Sequence, residues 1–340
     1  MSAQRDFITV GVIGAGRIGK IHAENLAYRI PDARILAIAD IQPEAAQQTA
    51  ARLNIPTASA DYHDLLNNKD IDAVIICSAT DTHARIIEEA SAARKHIFCE
   101  KPIDLDLKRI DQALAAVDRA GVKLQVGFNR RYDSNFRAIH EAVKAGKVGE
   151  PHILRITSRD PAPPPISYVK VSGGIFLDMT IHDFDMARYL VGSEVTEVYA
   201  AGGVLIDPQI GAAGDIDTAA VTLRFANGAI GVIDNSRKAV YGYDQRAEVF
   251  GSGGAVSTSN NAAHTAVISD AAGVHGPLPL YFFLERYTDS YIAEMREFID
   301  CIKNNTAPSV TGVDARKATV IGLAARKSAQ ENRPVKVSEI

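Results

Sequence analysis

The chain has 340 residues, 46% hydrophobic and 23% charged, with a formal net charge of -4; it is long enough for two cores, and its charge gives no electrostatic reason to expect a nucleic-acid partner. Its three cysteines, Cys77, Cys99 and Cys301, are far apart and lack CxxC spacing, which argues against a disulfide framework or structural zinc and suits a reducing cytoplasm. The opening MSAQRDFITVGVIGAG lacks the pattern of a secretory leader and no apolar run reaches membrane-spanning length, so neither export nor a membrane partner is expected.

From Phe7 to about Val126, the short apolar runs FITVGVIG, ARILAIAD, DAVIICSA, KHIFCE and VKLQVGF alternate with helical patterns. This is the rhythm of βαβ units building a doubly wound parallel sheet. Gly14, Gly16 and Gly19 stand in G-x-G-x-x-G spacing between the first strand and a helix. Glycines there allow a tight turn and close backbone approach, and the helix start offers N–H groups to a pyrophosphate. Asp40 ends the second strand, where an acidic residue hydrogen-bonds the adenosine ribose and repels a 2'-phosphate. The expected cofactor is therefore NAD, with Arg17 as the nearby residue able to assist a phosphate. HIFCEKPID sets Lys101 just past a parallel strand, at the edge where ligands bind such sheets, and Pro102 biases its backbone towards an extended form.

After residue 150 the segments HILRITSR, EVTEVYAAGG, TAAVTLRF, GAIGVIDNSR and QRAEVFGS follow one another with few helices between them, which predicts a mainly antiparallel sheet in a second, α+β domain. The boundary is expected at residue 128, giving domains 1–128 and 129–340. PAPPP, residues 161–165, reads as a stiff loop beside a site, and two late helices are expected around Arg286 to Asn304 and Ala315 to Asn332. In FLDMTIHDFDMA, Asp178 and His182 share one side of a predicted helix, so that a carboxylate can orient an imidazole acting as base. The pair supplies only two ligands, and no metal is expected. Solvation of Asp183 on the helix face, and support of His182 or pairing with Arg188 by Asp185, are the expected roles of its acidic neighbours.

The fingerprint GRIGKIHAENL, the EKP sequence, VGFNRRYD, SGGIFLDMTIHDFDMARYL and YGYDQRAEVFG together resemble the glucose-fructose oxidoreductase, inositol dehydrogenase and rhizopine-catabolism family, over nearly the whole chain, and within it the inositol 2-dehydrogenases. The resemblance implies Lys101, Asp178 and His182 as the catalytic trio. It implies Ile18, Ser78, Thr80, His83 and Glu100 beside the cofactor, with Gly14, Gly16, Arg17 and Asp40. Substrate is expected to meet one of Arg130 and Arg131, then Asp160, with Ser158 on the same strand face, and a tyrosine of YGYD. Tyr241 is the candidate there, although Tyr243 shares its predicted strand face. The implied activity is NAD-dependent oxidation of a cyclic polyol, myo-inositol to its 2-keto product, in a homo-oligomer, with a tetramer favoured. The alternatives are another inositol isomer, an aldose, or a dinucleotide-binding regulator without turnover.

Overall fold

The computed structural model describes residues 6–340, which gather into two compact units. The first contains β1 (Ile8–Ile13), α1 (Arg17–Tyr28), β2 (Ala33–Ala39), α2 (Pro43–Leu53), β3 (Thr57–Ser59), α3 (His63–Asn67), β4 (Ala73–Ile76), α4 (Thr80–Ala92), β5 (His96–Cys99), α5 (Leu107–Ala120) and β6 (Leu124–Val126). All six strands are parallel, in the order β3-β2-β1-β4-β5-β6. Val10, Val12, Val74, Ile75, Ile76 and Phe98 are buried, as continuous apolar strands covered on both faces must be. The order reverses between β1 and β4, which opens a crevice at their carboxyl ends. β3 has no apolar run to announce it and is exposed along most of its length.

The second unit holds α6 (Ser134–Lys144), β7 (Pro151–Arg159), α7 (Ile166–Val169), α8 (Ile175–Asp178), α9 (Ile181–Val191), β8 (Val195–Gly203), α10 (Pro208–Ala212), β9 (Thr218–Phe225), β10 (Ile230–Ser236), β11 (Asp244–Gly251) and β12 (Gly254–Thr258). With a final short strand at Val335–Lys336 the sheet runs β12-β11-β7-β10-β9-β8 and then that strand. Its pairs are antiparallel except β7 with β10, which run parallel. In β9, inward Ala219, Val221, Leu223 and Phe225 alternate with exposed residues, the pattern of a sheet covered on one face. On the other face Ile153 stands beside Ile230 and Phe250 across three strands.

Two long helices stand late in the chain, Thr288–Lys303 and Gly312–Glu331, where two were expected. Their placement corrects the single boundary at residue 128: residues 289–316 belong with the first unit. The reason is apolar burial, since Met295, Phe298 and Ile299 join the core formed by Val10, Leu26, Ile75 and Phe98.

Candidate active site

In the first unit the glycine loop is built of backbone. Gly14 has φ +100, and a Cβ there would lie 2.5 Å from the Cys77 carbonyl oxygen on the neighbouring strand exit. A Cβ on Gly19 would meet the Gly14 oxygen at 1.9 Å, so α1 can begin this close to the loop only with glycine present. Gly16, by contrast, faces open space and starts α1 without a side-chain cap. Room above uncapped N–H groups fits a pyrophosphate. Arg17 and Ile18 occupy the first turn, exposed and half-buried. Asp40 accepts from Ala15 N at 2.6 Å and from Gln42 N at 2.8 Å, which ties the end of β2 to the loop and leaves carboxylate lone pairs for further donors.

Across the crevice, Ser78 bonds Thr82 at 2.7 Å and Thr80 opens α4. His83 is buried, its ring nitrogens 2.8 and 3.0 Å from the carbonyl oxygens of Pro102 and Ser78. It thus bridges the exit of β4 to the turn after Lys101. Lys101 itself is half-buried beyond β5, joined to Pro102 by a cis peptide bond. Of the two arginines, Arg131 donates to Asp314 at 3.0 Å, whereas Arg130 is buried in the short 3-10 turn at Asn129–Tyr132. Glu100, directly before Lys101, lies 2.7 Å from His22. Among the described residues, His22, Glu100 and Glu294 form a group whose ligand atoms lie within 4.8 Å of one another, which sequence spacing does not reveal.

The second unit corrects the expected D-x-x-x-H helix. Thr180 N bonds the Ile175 oxygen, five residues back, at 2.8 Å, and His182 N bonds the Met179 oxygen, three back, at 3.3 Å. This widened and then tightened turn breaks the helix into α8 and α9, so Asp178 closes one segment and His182 lies in the first turn of the next. Its anchor is tertiary: the Thr180 hydroxyl donates to Asn235 at 2.8 Å, and Asn235 donates to Asp183 at 2.9 Å. Asp183 is therefore 0% exposed and not a solvated face residue. Asp185 is equally buried, 3.9 Å from Arg188, in line with the expected pairing.

Asp178 accepts from the Tyr168 hydroxyl at 2.8 Å and from Arg237 at 3.0 Å. Arg237 is only 2% exposed and also faces Asp160 at 3.8 Å and Asp215 at 4.0 Å. Burial opposes its charge, but Asp178, Asp160 and Asp215 outweigh that cost and hold the guanidinium above its ordinary range. Neither Arg237 nor Tyr168 was singled out from sequence, because the three carboxylates that surround Arg237 are brought together only by the fold. Asp215 also explains the double glycine of SGGIFLD: it accepts from Ile175 N at 3.0 Å, and a Cβ on Gly174 would sit 2.8 Å from its oxygen. The stiff segment 161–165 leads into α7, which carries Tyr168.

Tyr241 and Tyr243 do not share a strand face, because β11 starts only at Asp244 and Gly242, at φ +123, turns the chain between them. The Tyr241 hydroxyl donates to Asp244 at 2.6 Å and accepts from Arg159 at 2.9 Å. Tyr243 is buried, edge-on to Tyr287 at 5.9 Å. Ser158 is buried against Gln245.

Residues 8–128 match the model of an oxidoreductase family with an NAD-binding Rossmann fold, and residues 136–257 match the GFO/IDH/MocA C-terminal domain. The chain belongs to the GFO/IDH/MocA family. It is 53% identical to a myo-inositol 2-dehydrogenase of Thermotoga maritima over 97% of this chain and 99% of that one. It is 46% identical to an inositol 2-dehydrogenase of Rhizobium meliloti, covering 97% and 99% of the two chains. The crystal structure of a scyllo-inositol dehydrogenase from Lactobacillus casei, with bound NAD(H) and scyllo-inositol, is 32% identical and superposes with a TM-score of 0.92, covering 98% and 99%. As a GFO/IDH/MocA oxidoreductase, the chain carries the parallel NAD-binding sheet and the mixed, largely antiparallel second sheet expected of its sequence.

Proposed function

We propose that this protein oxidises myo-inositol to its 2-keto product with NAD. The observation that carries the reading is the end-to-end identity of 53% with a protein of that name, and each unit supplies residues suited to the chemistry. Residues 1–128 would bind NAD and the second domain the polyol. The loop Gly14–Gly16, the first turn of α1 at Arg17 and Ile18, and Asp40 would hold the pyrophosphate and ribose, with Ser78, Thr80, His83 and Glu100 bordering the nicotinamide side. Bound NAD supplies the hydride acceptor.

His182 takes the proton of the reacting hydroxyl, and Lys101 donates a hydrogen bond to the same oxygen as it becomes a carbonyl. Asp178 orients the imidazole and accepts from a neighbouring hydroxyl, its own direction fixed by Tyr168 and Arg237. Asp160, Tyr241 and one of Arg130 and Arg131 contribute further polar contacts to the ring of hydroxyls; Arg131 also donates to Asp314. We also read the outward Ile153, Ile230 and Phe250 as supporting a homo-oligomer, and the three free thiols as suiting the cytoplasm. No described helix is long and apolar enough to cross a membrane.

The test is NADH formation across a panel of inositols and sugars. Fastest turnover with myo-inositol is expected. Preference for scyllo-inositol would move the assignment to the other isomer, and no NADH from any polyol would sink it.

A further inference from the structure

Behind Lys101 lies a buried polar group, two of whose members, His22 and Glu294, have no part in the chemistry above. His22 on α1 and Glu294 on the helix Thr288–Lys303 are both 0% exposed, and Glu100 follows the last residue of β5, immediately before the lysine. His22 Nε2 stands 2.7 Å from Glu100 Oε1 and 3.9 Å from Glu294 Oε1. Among the described residues, neither carboxylate oxygen of Glu294 has a hydrogen-bond partner, nor has Nδ1 of His22. The edges of Phe98 and Tyr291 close on the imidazole, with ring centroids 5.1 and 5.7 Å away. On the other side Glu100 presses on Gly127, where a Cβ would come within 3.0 Å of the carboxyl group.

Two bare carboxylates cannot share so dry a site; a proton or a cation must neutralise one of them. The geometry separates the two. Ligand atoms about 2.1 Å from a tetrahedral divalent ion stand roughly 3.4 Å apart, whereas 2.7 Å between His22 and Glu100 is the length of a charge-assisted hydrogen bond.

We propose that His22, Glu100 and Glu294 form a proton-neutralised triad, in which Glu294 carries the proton and His22 donates Nε2–H to Glu100, fixing the backbone that presents Lys101. His22 and Glu294 are then positioning residues, linking the fingerprint helix and the late helix to the exit of β5. Burial, reinforced by the charges of Glu100 and Glu297, pushes the Glu294 carboxyl well above the ordinary carboxylate range, in keeping with its protonated state. The function given to the triad rests on the role of Lys101 proposed above.

The experiment has a spectroscopic and a kinetic arm. An infrared difference spectrum of wild type minus Glu294→Gln at neutral pH is expected to show the carbonyl stretch of a protonated carboxyl group. His22→Leu is expected to lower turnover about tenfold, the scale for losing a group that orients a reacting residue, to shift the pH profile of turnover, and to leave NAD affinity nearly unchanged. His22→Gln, which restores an N–H donor, should recover much of the loss. An absent carboxyl band overturns the triad, as does stoichiometric metal that co-purifies with wild type and is lost from His22→Leu. Unchanged turnover in a folded His22→Leu protein overturns the positioning role. Should His22→Leu fail to fold, the infrared band decides protonation and the turnover of His22→Gln against a Glu100→Gln protein decides positioning: a loss confined to Glu100→Gln is expected, and equal turnover overturns it. Lys101→Met is assayed alongside, because full activity there removes the lysine reading and the purpose given to the triad, while the carboxyl band still reports on the triad itself.

Discussion

The loop after β1 presents backbone, whereas the wall around Asp178 presents side chains. In the loop, Gly14 and Gly19 allow close backbone approach, Gly16 leaves space above the N–H groups, and the Asp40 carboxylate is stitched to it through Ala15. In the wall, Asp178, Asp160 and Asp215 gather round the buried cation Arg237, at 3.0, 3.8 and 4.0 Å. A backbone site tolerates many neighbours but few substitutions at its glycines; a side-chain site is tuned by charge balance. The first suits a ligand part that is always the same, the second a ligand defined by the directions of its hydroxyl groups.

The sharpest way to separate the halves is His182→Ala. Turnover should fall by about two to four orders of magnitude while NAD titration stays near wild type; near-normal turnover would reject His182 as the base. Arg237→Met strikes the wall. Removing the partner of buried carboxylates costs about 3–5 kcal/mol, so the melting temperature should drop by on the order of ten degrees, with inositol KM raised in whatever remains folded. An unchanged melting curve would show that the three carboxylates do not need the guanidinium.

Asp40→Ser tests the loop. Losing a charged hydrogen bond, worth about 1.5–3 kcal/mol, should weaken NAD roughly ten- to a hundredfold and narrow its preference over NADP; measured Kd values for both cofactors check it. The smallest effect lies outside both halves. Arg188 and Lys317 hold Glu194 down to about 2, below its ordinary range, so its contribution is present above about pH 4.5 and fades as pH falls through about 2. Because the pair is half-exposed, Glu194→Gln should cost under about 1 kcal/mol at neutral pH, and urea titrations should show that difference shrinking in acid.

How far each half could be read from sequence follows from the same contrast. Gly14, Gly16, Gly19 and Asp40 are specified within one βαβ unit, so local spacing suffices to find them. The wall is assembled by the parallel pairing of β7 with β10, whose register sets Ser236 opposite Arg159 and so carries Arg237 beside Asp160. Nothing near Arg237 in the chain announces that. The helix over FLDMTIHDFDMA was legible as helix, but its break at Thr180 was not, because Asn235 anchors it from 55 residues away. Tyr241 was placed on a strand because its alternation continues that of β11, until Gly242 turns the chain. The pattern of the helix at Thr288–Lys303 was equally plain, yet periodicity shows only that one face is apolar, not which core receives it.

That last helix has a consequence for biosynthesis. On the ribosome, residues 1–132 emerge first, but Met295, Phe298 and Ile299 complete their core only after all but the last short strand of the second sheet has been made. At about 5–20 residues per second the wait is roughly ten to thirty seconds. Throughout it the nascent parallel sheet holds an uncovered apolar face, an opening for chaperones and for premature association between neighbouring nascent chains, and a gene fragment ending at residue 128 would carry that uncovered face permanently.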